Sequence, residues 1–489
     1  MKLRQYLSAA VLLGAVLTLG ARAASPYQSY NHTEWVSDVP APDAYRAAAS
    51  YTGPECGTTP FKTPGDLAVE EDTIYLLDSG NNRIVLLDRE MHFQSEITAL
   101  DNQGTPDALN APEGLFVDGE GGIYVADTGN KRCLKLDAEG RVLQVYTKPA
   151  HDSYANKDMI PKRVLVDGLG MVYILAENEY QGALLYRNDG TFVSFYGAPK
   201  LQVTPKILID RLWKKLLTQQ QADKISNHVP VEFTSFDIDS ENFVYTCSSY
   251  TETDTEQLRC LNMLGNNVYE NTENFGEPNK VYYKQSVLST TFVDVAVDDS
   301  RVLFAADSTR GRIYAVDPDG YPLFSFGTTG LQLGSFGTIS AIDRDENDRV
   351  YVLDFQKGSI TCMDPTPYGK AILSAARLHA QGRFEEAVTY WEEVLRLNGN
   401  SDIALEGIGK ARLLQKDYEG ANEYFRMAVR RESESVSFEG VRKNFLRRNT
   451  PVIVVVLALL LTAVILLTSK KFRRWLQERP RRKKGGDAS

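Results

Sequence analysis

Residues 74–88 read IYLLDSGNNRIVLLD and residues 123–137 read IYVADTGNKRCLKLD, so nearly the same fifteen letters occur twice, 49 residues apart. A repeat at fixed spacing indicates a structural unit that buries its apolar face against copies of itself. The architecture is therefore expected to follow from the number of such units and from the way they pack.

Six copies of the unit can be traced along the chain. Each begins with a short apolar strand, and these strands start near positions 64, 112, 161, 233, 292 and 337. Each is followed by β-rich stretches separated by turn residues, and the unit recurs about every 50 residues. Isolated sheets of this size would leave one face in water, whereas radial stacking covers both faces. The sequence predicts a mainly β fold, a six-bladed β-propeller.

The repeated letters P-x-G-L-x-V-D … I-Y-V-A-D-T-G-N-x-R-I resemble the NHL repeat, a family of mostly six-bladed propellers. The resemblance covers about residues 64–364, and its first two copies match best. In DSGNNR and DTGNKR we expect the Asp to accept hydrogen bonds from the following turn amides. The Gly and Asn would tolerate positive φ, and the Arg would reach a neighbouring blade.

Counting strands predicts how the ring closes. Blades one to five have enough residues for a fourth, outer strand, but the sixth stops at Asp364 and Pro365. Its outer strand is expected from the N-terminal segment 44–53. The propeller domain is accordingly predicted to span residues 25–366.

An amphipathic, basic helix is predicted at 205–227, between the third and fourth blades. One interpretation makes it a lid on its own propeller. The other makes it a surface for a partner or for the outer leaflet, with Trp213 and Lys214 as candidate partner-binding residues.

Helical periodicity begins near Gly369. The stretches GRFEEAVTYWEEVL at 382 and KDYEGANEYFRMAV at 416 lie 34 residues apart and resemble tetratricopeptide repeats. The resemblance implies a helical domain over 367–435, with small residues that let helices pack closely and with Trp391 as a candidate partner-binding residue.

The two ends of the chain indicate export and anchoring. Residues 1–24 have the layout of a signal peptide, and 451–469 form an apolar segment long enough to span a membrane. A linker is predicted at 436–450 and a basic cytoplasmic tail at 470–489. The tail carries more basic residues than the opposite flank, which predicts a single-pass protein of the cell membrane with its N-terminus outside. Anionic lipid is one candidate partner of the tail, and a topology signal alone is the other.

Charge and cysteine content exclude other classes of function. The net charge is −10, and residues 1–24, 442–448 and 469–489 carry +3, +4 and +7, which leaves −24 on the exported part. This surface repels phosphate backbones, so nucleic acid is not expected as a partner. Five scattered cysteines are too few and too odd in number for a disulfide framework. One interpretation pairs Cys247 with Cys260 across a hairpin, and the other makes them free, buried apolar residues.

The starts of the innermost strands define two rings of residues at the channel mouth. They are Gly65, Glu113, Lys162, Thr234, Val293 and Thr338, and Asp66, Gly114, Arg163, Ser235, Asp294 and Ile339. Asp66, Glu113, Arg163 and Asp294 are the candidate ligand-binding residues, although charge pairs that close the ring are the favoured interpretation. None of the five histidines lies at a strand start, so we expect no three-histidine zinc site. The segment DRDENDR at 343–349 resembles part of a calcium loop, but a turn explains it better.

These patterns favour a non-enzymatic, membrane-anchored extracytoplasmic binding or scaffold protein. Its propeller and helical repeats would bind protein partners in the cell envelope, with an accessory role in solute or sugar uptake, and no cofactor is expected. The alternative is a metal-dependent, gluconolactonase-like hydrolase at the channel, for which Glu113 would help to hold a divalent ion such as Ca²⁺. A third hypothesis is sugar binding without turnover.

Overall fold

The computed structural model describes residues 25–31, 39–198, 232–249, 256–270, 281–283, 286–288 and 290–477. The predicted signal peptide, the inserted helix at 205–227 and the tail beyond 477 lie outside these residues. The chain divides into two compact units at Ala404 and Leu405.

Six antiparallel sheets form the blades of a propeller, which confirms the predicted fold. In order from the innermost strand outward, the strands of the first three blades are Asp66–Glu70, Thr73–Asp78, Arg83–Asp88 and Phe93–Ile97; Gly114–Val117, Ile123–Asp127, Arg132–Leu136 and Val142–Tyr146; and Pro161–Val166, Val172–Ala176, Ala183–Tyr186 and Phe192–Tyr196. Those of the last three are Phe233–Ile238, Val244–Ser248 and Leu258–Leu261; Phe292–Val297, Leu303–Asp307, Arg312–Val316 and Pro322–Phe326; and Ile339–Arg344, Val350–Asp354, Ser359–Pro365 and Tyr45–Thr52.

Three short hairpins accompany the blades. They pair Ser29–Asn31 with Val39–Ala41, Leu100–Asn102 with Thr105–Asp107, and Val281–Tyr283 with Ser286–Leu288. Blade four has three strands within the described part of the chain, so the outer strand predicted for it is not among them.

The ring closes as the strand count predicts. Tyr45–Thr52 pairs antiparallel with Ser359–Pro365 and forms the outer strand of blade six. Tyr45 is fully buried, and its ring stacks on that of Phe326 in blade five with the centroids 4.4 Å apart. The N-terminal strand therefore completes one blade by hydrogen bonding and holds the preceding blade by packing.

The apolar core is divided among the interfaces between neighbouring blades. One cluster joins blades one and two through residues such as Leu77 and Leu134, and another joins blades six and one through Leu76 and Leu353. All five cysteines are free and buried, so Cys247 and Cys260 are not bonded to each other. They occupy apolar positions in the cluster between blades four and five.

The repeated turn agrees with the expectation only in part. Asp78 accepts a hydrogen bond from the side-chain amide of Asn81 in the following turn, at 2.7 Å. Its other partners are the backbone N–H of Lys62, at 2.7 Å, and Nε of Arg83, at 2.8 Å. Nη1 of Arg83 forms an ion pair with Oε2 of Glu96, at 2.7 Å, so this arginine pairs within its own blade rather than with a neighbouring blade. Gly80 is needed for close approach, because a Cβ there would lie 2.6 Å from the carbonyl oxygen of Lys62, while Asn82 supplies the positive φ of 53°.

Six helices follow the propeller in the described residues. They are α1 Pro367–Ala380, α2 Phe384–Leu397, α3 Asp402–Leu414, α4 Tyr418–Met427, α5 Arg431–Thr468 and α6 Lys470–Gln477.

Helices α1 and α2 belong to the same compact unit as the propeller. Thr366 caps α1 and also donates its hydroxyl to the carbonyl of Asp43, at 2.6 Å. Arg377 of α1 forms ion pairs with Asp298 and Asp348, which lie in turns of blades five and six. These polar contacts fix α1 to the propeller, a link that helical periodicity alone does not reveal.

The second unit contains most of α3 and all of α4, α5 and α6. Gly409 lets α3 approach α4 closely, because a Cβ there would lie 2.7 Å from the ring of Phe425. The segment 436–450, predicted as a linker, is helical and continuous with the apolar segment, so α5 runs for 38 residues with Pro451 inside it. Among the described residues, α5 is the helix that is long and apolar enough to cross a membrane.

Candidate functional site

The channel mouth is lined by equivalent residues at the starts of the six innermost strands. The second strand of blades one, five and six ends in the repeated turn Asp, and the residue before that Asp marks the register. It lies opposite Asp66 in blade one, Asp294 in blade five and Ala341 in blade six. Blade six was therefore predicted two residues out of register, with Thr338 and Ile339 in place of Ser340 and Ala341. The cause is the alignment of Asp343 with the turn residue Asp298 of blade five. In the structure Asp345 is the equivalent of Asp298, because each accepts hydrogen bonds from the backbone N–H groups two and four residues later.

Arg163 crosses the channel mouth from blade three. Its Nη1 lies 3.2 Å from Oδ2 of Asp66 in blade one and also donates to the carbonyl oxygen of Glu113 in blade two. Its Nη2 donates to the carbonyl oxygen of Ser340 in blade six, at 3.2 Å. One guanidinium thus joins blade three to blades one, two and six.

Asp66 and Asp294 hold neighbouring blades together. Asp66 accepts from the backbone N–H of Leu67, at 3.0 Å, and of Leu115 in blade two, at 2.8 Å. Asp294 accepts from the hydroxyl of Ser235 in blade four, at 2.6 Å, and from the backbone N–H of Ile342 in blade six, at 2.8 Å. Their oxygens are therefore already engaged in bonds between blades.

The carboxylates of Asp237 and Asp343 also accept hydrogen bonds from a neighbouring blade, and the sequence analysis missed them. Asp237 accepts from the backbone N–H of Ile238 and, at 2.7 Å, of Val297 in blade five. Asp343 accepts from the backbone N–H of Arg344 and, at 2.7 Å, of Val69 in blade one. The sequence signal that could have identified both residues is an Asp two positions before the Asp of the turn that follows the innermost strand.

The side chain of Glu113 does not take part in the contacts between Asp66, Asp294 and Arg163 described above. Its carboxylate is 45% exposed and pairs with Nζ of Lys162, at 2.8 Å, which also lies 3.5 Å from Glu177. Of the four predicted ligand-binding residues, the structure brings Asp66 and Arg163 into direct contact. Asp294 acts on Arg163 electrostatically, while Glu113 contributes its carbonyl oxygen.

Of the three candidate partner-binding residues, the structure describes Trp391. Trp391 is only 4% exposed and packs inside the helical region, so it cannot present its ring to a partner in this conformation. Its apolar helix position explains this, since aromatic residues at helical spacing commonly form the core. Trp213 and Lys214 lie outside the described residues.

Neither the channel nor the rest of the described chain brings three or more His, Cys, Asp or Glu side chains into a metal-binding group. The segment 343–349 forms a tight turn in which Asp345 accepts from the backbone N–H groups of Asn347 and Arg349, both at 2.9 Å. This is the turn that the sequence favoured over a calcium loop.

A cavity of about 770 Å³ lies where blade six meets blade one. Ala48 and Ala49 of the N-terminal strand line one part of it, and Arg89, Arg349 and Lys370 line others. Arg89 pairs with Asp345 and Arg349 with Asp364, at 2.9 and 2.7 Å. The residues that line this cavity do not include Asp66, Arg163 or Asp294 of the channel.

Burial changes the protonation of the channel carboxyls. It raises the pKa of Asp66 to about 7, against the opposing effect of Arg163, and it raises the pKa of Asp237 to about 7. Burial also raises the pKa of Asp294, and burial together with nearby Asp237 raises that of Asp343 well above its usual value. Arg163 opposes the increase at Asp294.

The raised pKa values predict a propeller that is less stable at neutral pH than in mildly acidic solution. Because the folded pKa exceeds the unfolded one, the folded state binds protons more readily between about pH 4 and 7, and the free energy of unfolding falls as pH rises through that range. Each group contributes a slope of at most about 1.4 kcal/mol per pH unit. Urea unfolding from about pH 4.5 to 8 measures the slope, which Asp237→Asn should reduce. Exposed Asp189→Asn is the control, and equal slopes in both variants would contradict the assignment.

Comparison with known proteins gives a likeness in fold alone. No family model and no curated protein matches the sequence. Virginiamycin B lyase from Staphylococcus aureus is similar over 65% of this chain and 99% of its own, with 9% identity and a TM-score of 0.40. A gluconolactonase from Xanthomonas campestris is similar over 71% and 99%, with 12% identity and a TM-score of 0.39. The chain is a six-bladed β-propeller protein with a helical C-terminal region.

Proposed function

We propose that the protein is a membrane-anchored, extracytoplasmic binding or scaffold protein, built from an NHL-type propeller and tetratricopeptide-like helices. Its partners would be proteins of the cell envelope. An accessory role in solute or sugar uptake belongs to this proposal and rests on the arrangement of the domains alone.

The observation that carries the proposal is the use of the channel residues in holding the ring together. A catalytic carboxylate needs an oxygen free for substrate, metal or proton transfer. Asp66 and Asp294 instead bond to neighbouring blades, and Arg163 contacts Asp66. A binding role at the outer surface remains compatible with this arrangement, and the cavity at the seam of blades six and one offers a place for it.

Site-specific photocross-linking tests the binding role. A photoreactive residue at Asn347 or Lys370, both of which line the cavity, should give a discrete adduct with an envelope protein in intact cells. The same group at Asp189, in an exposed turn of blade three, is the matched control. Adducts that are equally diffuse at all three positions would contradict a binding surface at the cavity.

The apolar part of α5 and the basic flanks predict the topology. Protease added outside intact cells should remove the propeller and spare the tail that follows α6, because the more basic flank stays in the cytoplasm. Immunodetection of a tag after Ser489 measures protection of the tail. Digestion of the tag with an intact propeller would reverse the orientation.

The hydrolase alternative makes a separate prediction. A divalent ion held by Glu113 would raise the unfolding temperature, and Glu113→Ala would remove that increase. We expect instead that Ca²⁺ has the same effect as Na⁺ at equal ionic strength, because the Glu113 carboxylate pairs with Lys162. Thermal unfolding with each salt checks this, with Glu96→Ala as the control. A Ca²⁺-specific increase that only Glu113→Ala abolishes would favour the hydrolase.

A further inference from the structure

Helix α6 follows the apolar helix α5 after a single residue. Ser469 has an extended backbone, with φ −65° and ψ 130°, so α6 does not continue the axis of α5. Nε of Arg473 donates to the carbonyl oxygen of Leu467, at 2.9 Å, and the backbone N–H of Arg473 donates to Ser469. The start of α6 is therefore tied to the last turn of the apolar helix.

The charges of α6 lie on one side of the helix. Lys470, Lys471, Arg473 and Arg474 are all exposed, and no carboxylate of the described chain forms an ion pair with any of them. At 100° per residue these four positions fall within one arc, and positions 472, 475 and 476, occupied by Phe, Trp and Leu, fall on the opposite side. This separation is typical of helices that lie in a membrane interface.

The opposite end of the apolar segment provides a comparison within the same chain. Arg442, Lys443, Arg447 and Arg448 supply the same number of basic residues, but apolar Phe445 and Leu446 lie among them and Lys443 pairs with Glu439 at 2.7 Å. A topology signal requires only the number of charges. The ordered arrangement in α6 is not needed for that purpose.

We infer that α6 lies in the plane of the membrane and binds anionic lipid headgroups. The inference rests on the proposed function in one respect, because it requires α5 to span the membrane. The basic side faces lipid phosphates and the apolar side enters the acyl boundary, directly beside the spanning helix. Each basic residue near an anionic surface strengthens binding roughly fivefold, so the four together contribute on the order of several hundredfold.

The test uses the full chain with Leu476→Cys, labelled with an environment-sensitive fluorophore, because position 476 belongs to the apolar side of α6. The five native cysteines are buried, which directs labelling to the new thiol. The protein is placed in nanodiscs of phosphatidylcholine, with or without phosphatidylglycerol. We expect the emission to shift to shorter wavelength only when phosphatidylglycerol is present, and high salt should reverse the shift because it screens the charges.

Two quadruple variants separate specific from general effects of charge. Replacing Lys470, Lys471, Arg473 and Arg474 with Gln should lower the preference for phosphatidylglycerol by at least about tenfold. The same replacement of Arg442, Lys443, Arg447 and Arg448 should leave it unchanged.

The remaining outcomes each have a definite meaning. Equal emission in both kinds of nanodisc, with the protein incorporated, would overturn the lipid site and leave the anchor intact. A shift produced by soluble polyglutamate but not by phosphatidylglycerol would assign α6 to an acidic protein instead. Failure of the chain to enter nanodiscs at all would overturn the membrane anchor on which the inference rests.

Discussion

Deleting residues 25–55 is expected to abolish folding of the propeller. The deletion removes the strand Tyr45–Thr52, which pairs with Ser359–Pro365 and closes the ring. Each net hydrogen bond contributes about 0.5–1.5 kcal/mol, and burial of a large side chain such as Tyr45 contributes about 1.5–3 kcal/mol. The summed loss is comparable with the total free energy of unfolding of a domain, which is about 5–15 kcal/mol. The open edge of Ser359–Pro365 would also promote aggregation.

Size-exclusion chromatography and thermal unfolding measure the result. A synthetic peptide of residues 43–55, added during refolding, should restore a monomer because it can occupy the vacant edge. The same peptide with Ala49→Pro and Ser50→Pro is the matched control, since these residues lie in the regular ladder opposite Cys362 and Thr361 and proline has no N–H to donate to it. A truncated protein that stays monomeric, with the unfolding temperature of the intact chain, would show that the ring does not depend on this strand.

Replacing Arg377 with Leu is expected to cause a large loss of stability, although the residue lies outside the channel. Nε of Arg377 lies 2.8 Å from Asp298, and Nη1 lies 2.9 Å from Asp348. Burial opposes ionisation of Asp348, but hydrogen bonds and charge from Arg377 and Arg344 lower its pKa below the usual value. The substitution would leave two largely buried carboxylates without this partner.

The expected loss is about 2–4 kcal/mol, somewhat less than for a fully buried pair because the guanidinium is 21% exposed. Urea unfolding measures it. Arg383→Leu is the control, because Arg383 pairs with Glu386 at the surface and should change stability little. Adding Asp298→Asn and Asp348→Asn to Arg377→Leu should recover part of the loss. Equal stability of the Arg377 and Arg383 variants would contradict the assigned role of Arg377.

The sequence by itself determined the repeats and the closure of the ring. Alternation of apolar and polar residues sets where strands form, and turn residues set where they end, so six blades could be counted from local patterns. The pairing of 44–53 with the last blade also followed, because a blade that lacks its outer strand must take one from elsewhere in the chain. The apolar segment that became α5 was visible for the same reason, since its composition is a local property.

Tertiary structure decided which distant side chains meet. Arg163 reaches Ser340, 177 residues away, and Arg377 reaches Asp298, 79 residues away, only because the closed ring brings blades together and α1 docks on their turns. The turn at Asp345 set the register of the channel residues in blade six, and the fold buried Trp391 of α2. Local periodicity fixes the strands and helices, but hydrogen bonds and ion pairs between them depend on distances of a few ångströms that only the folded ring establishes.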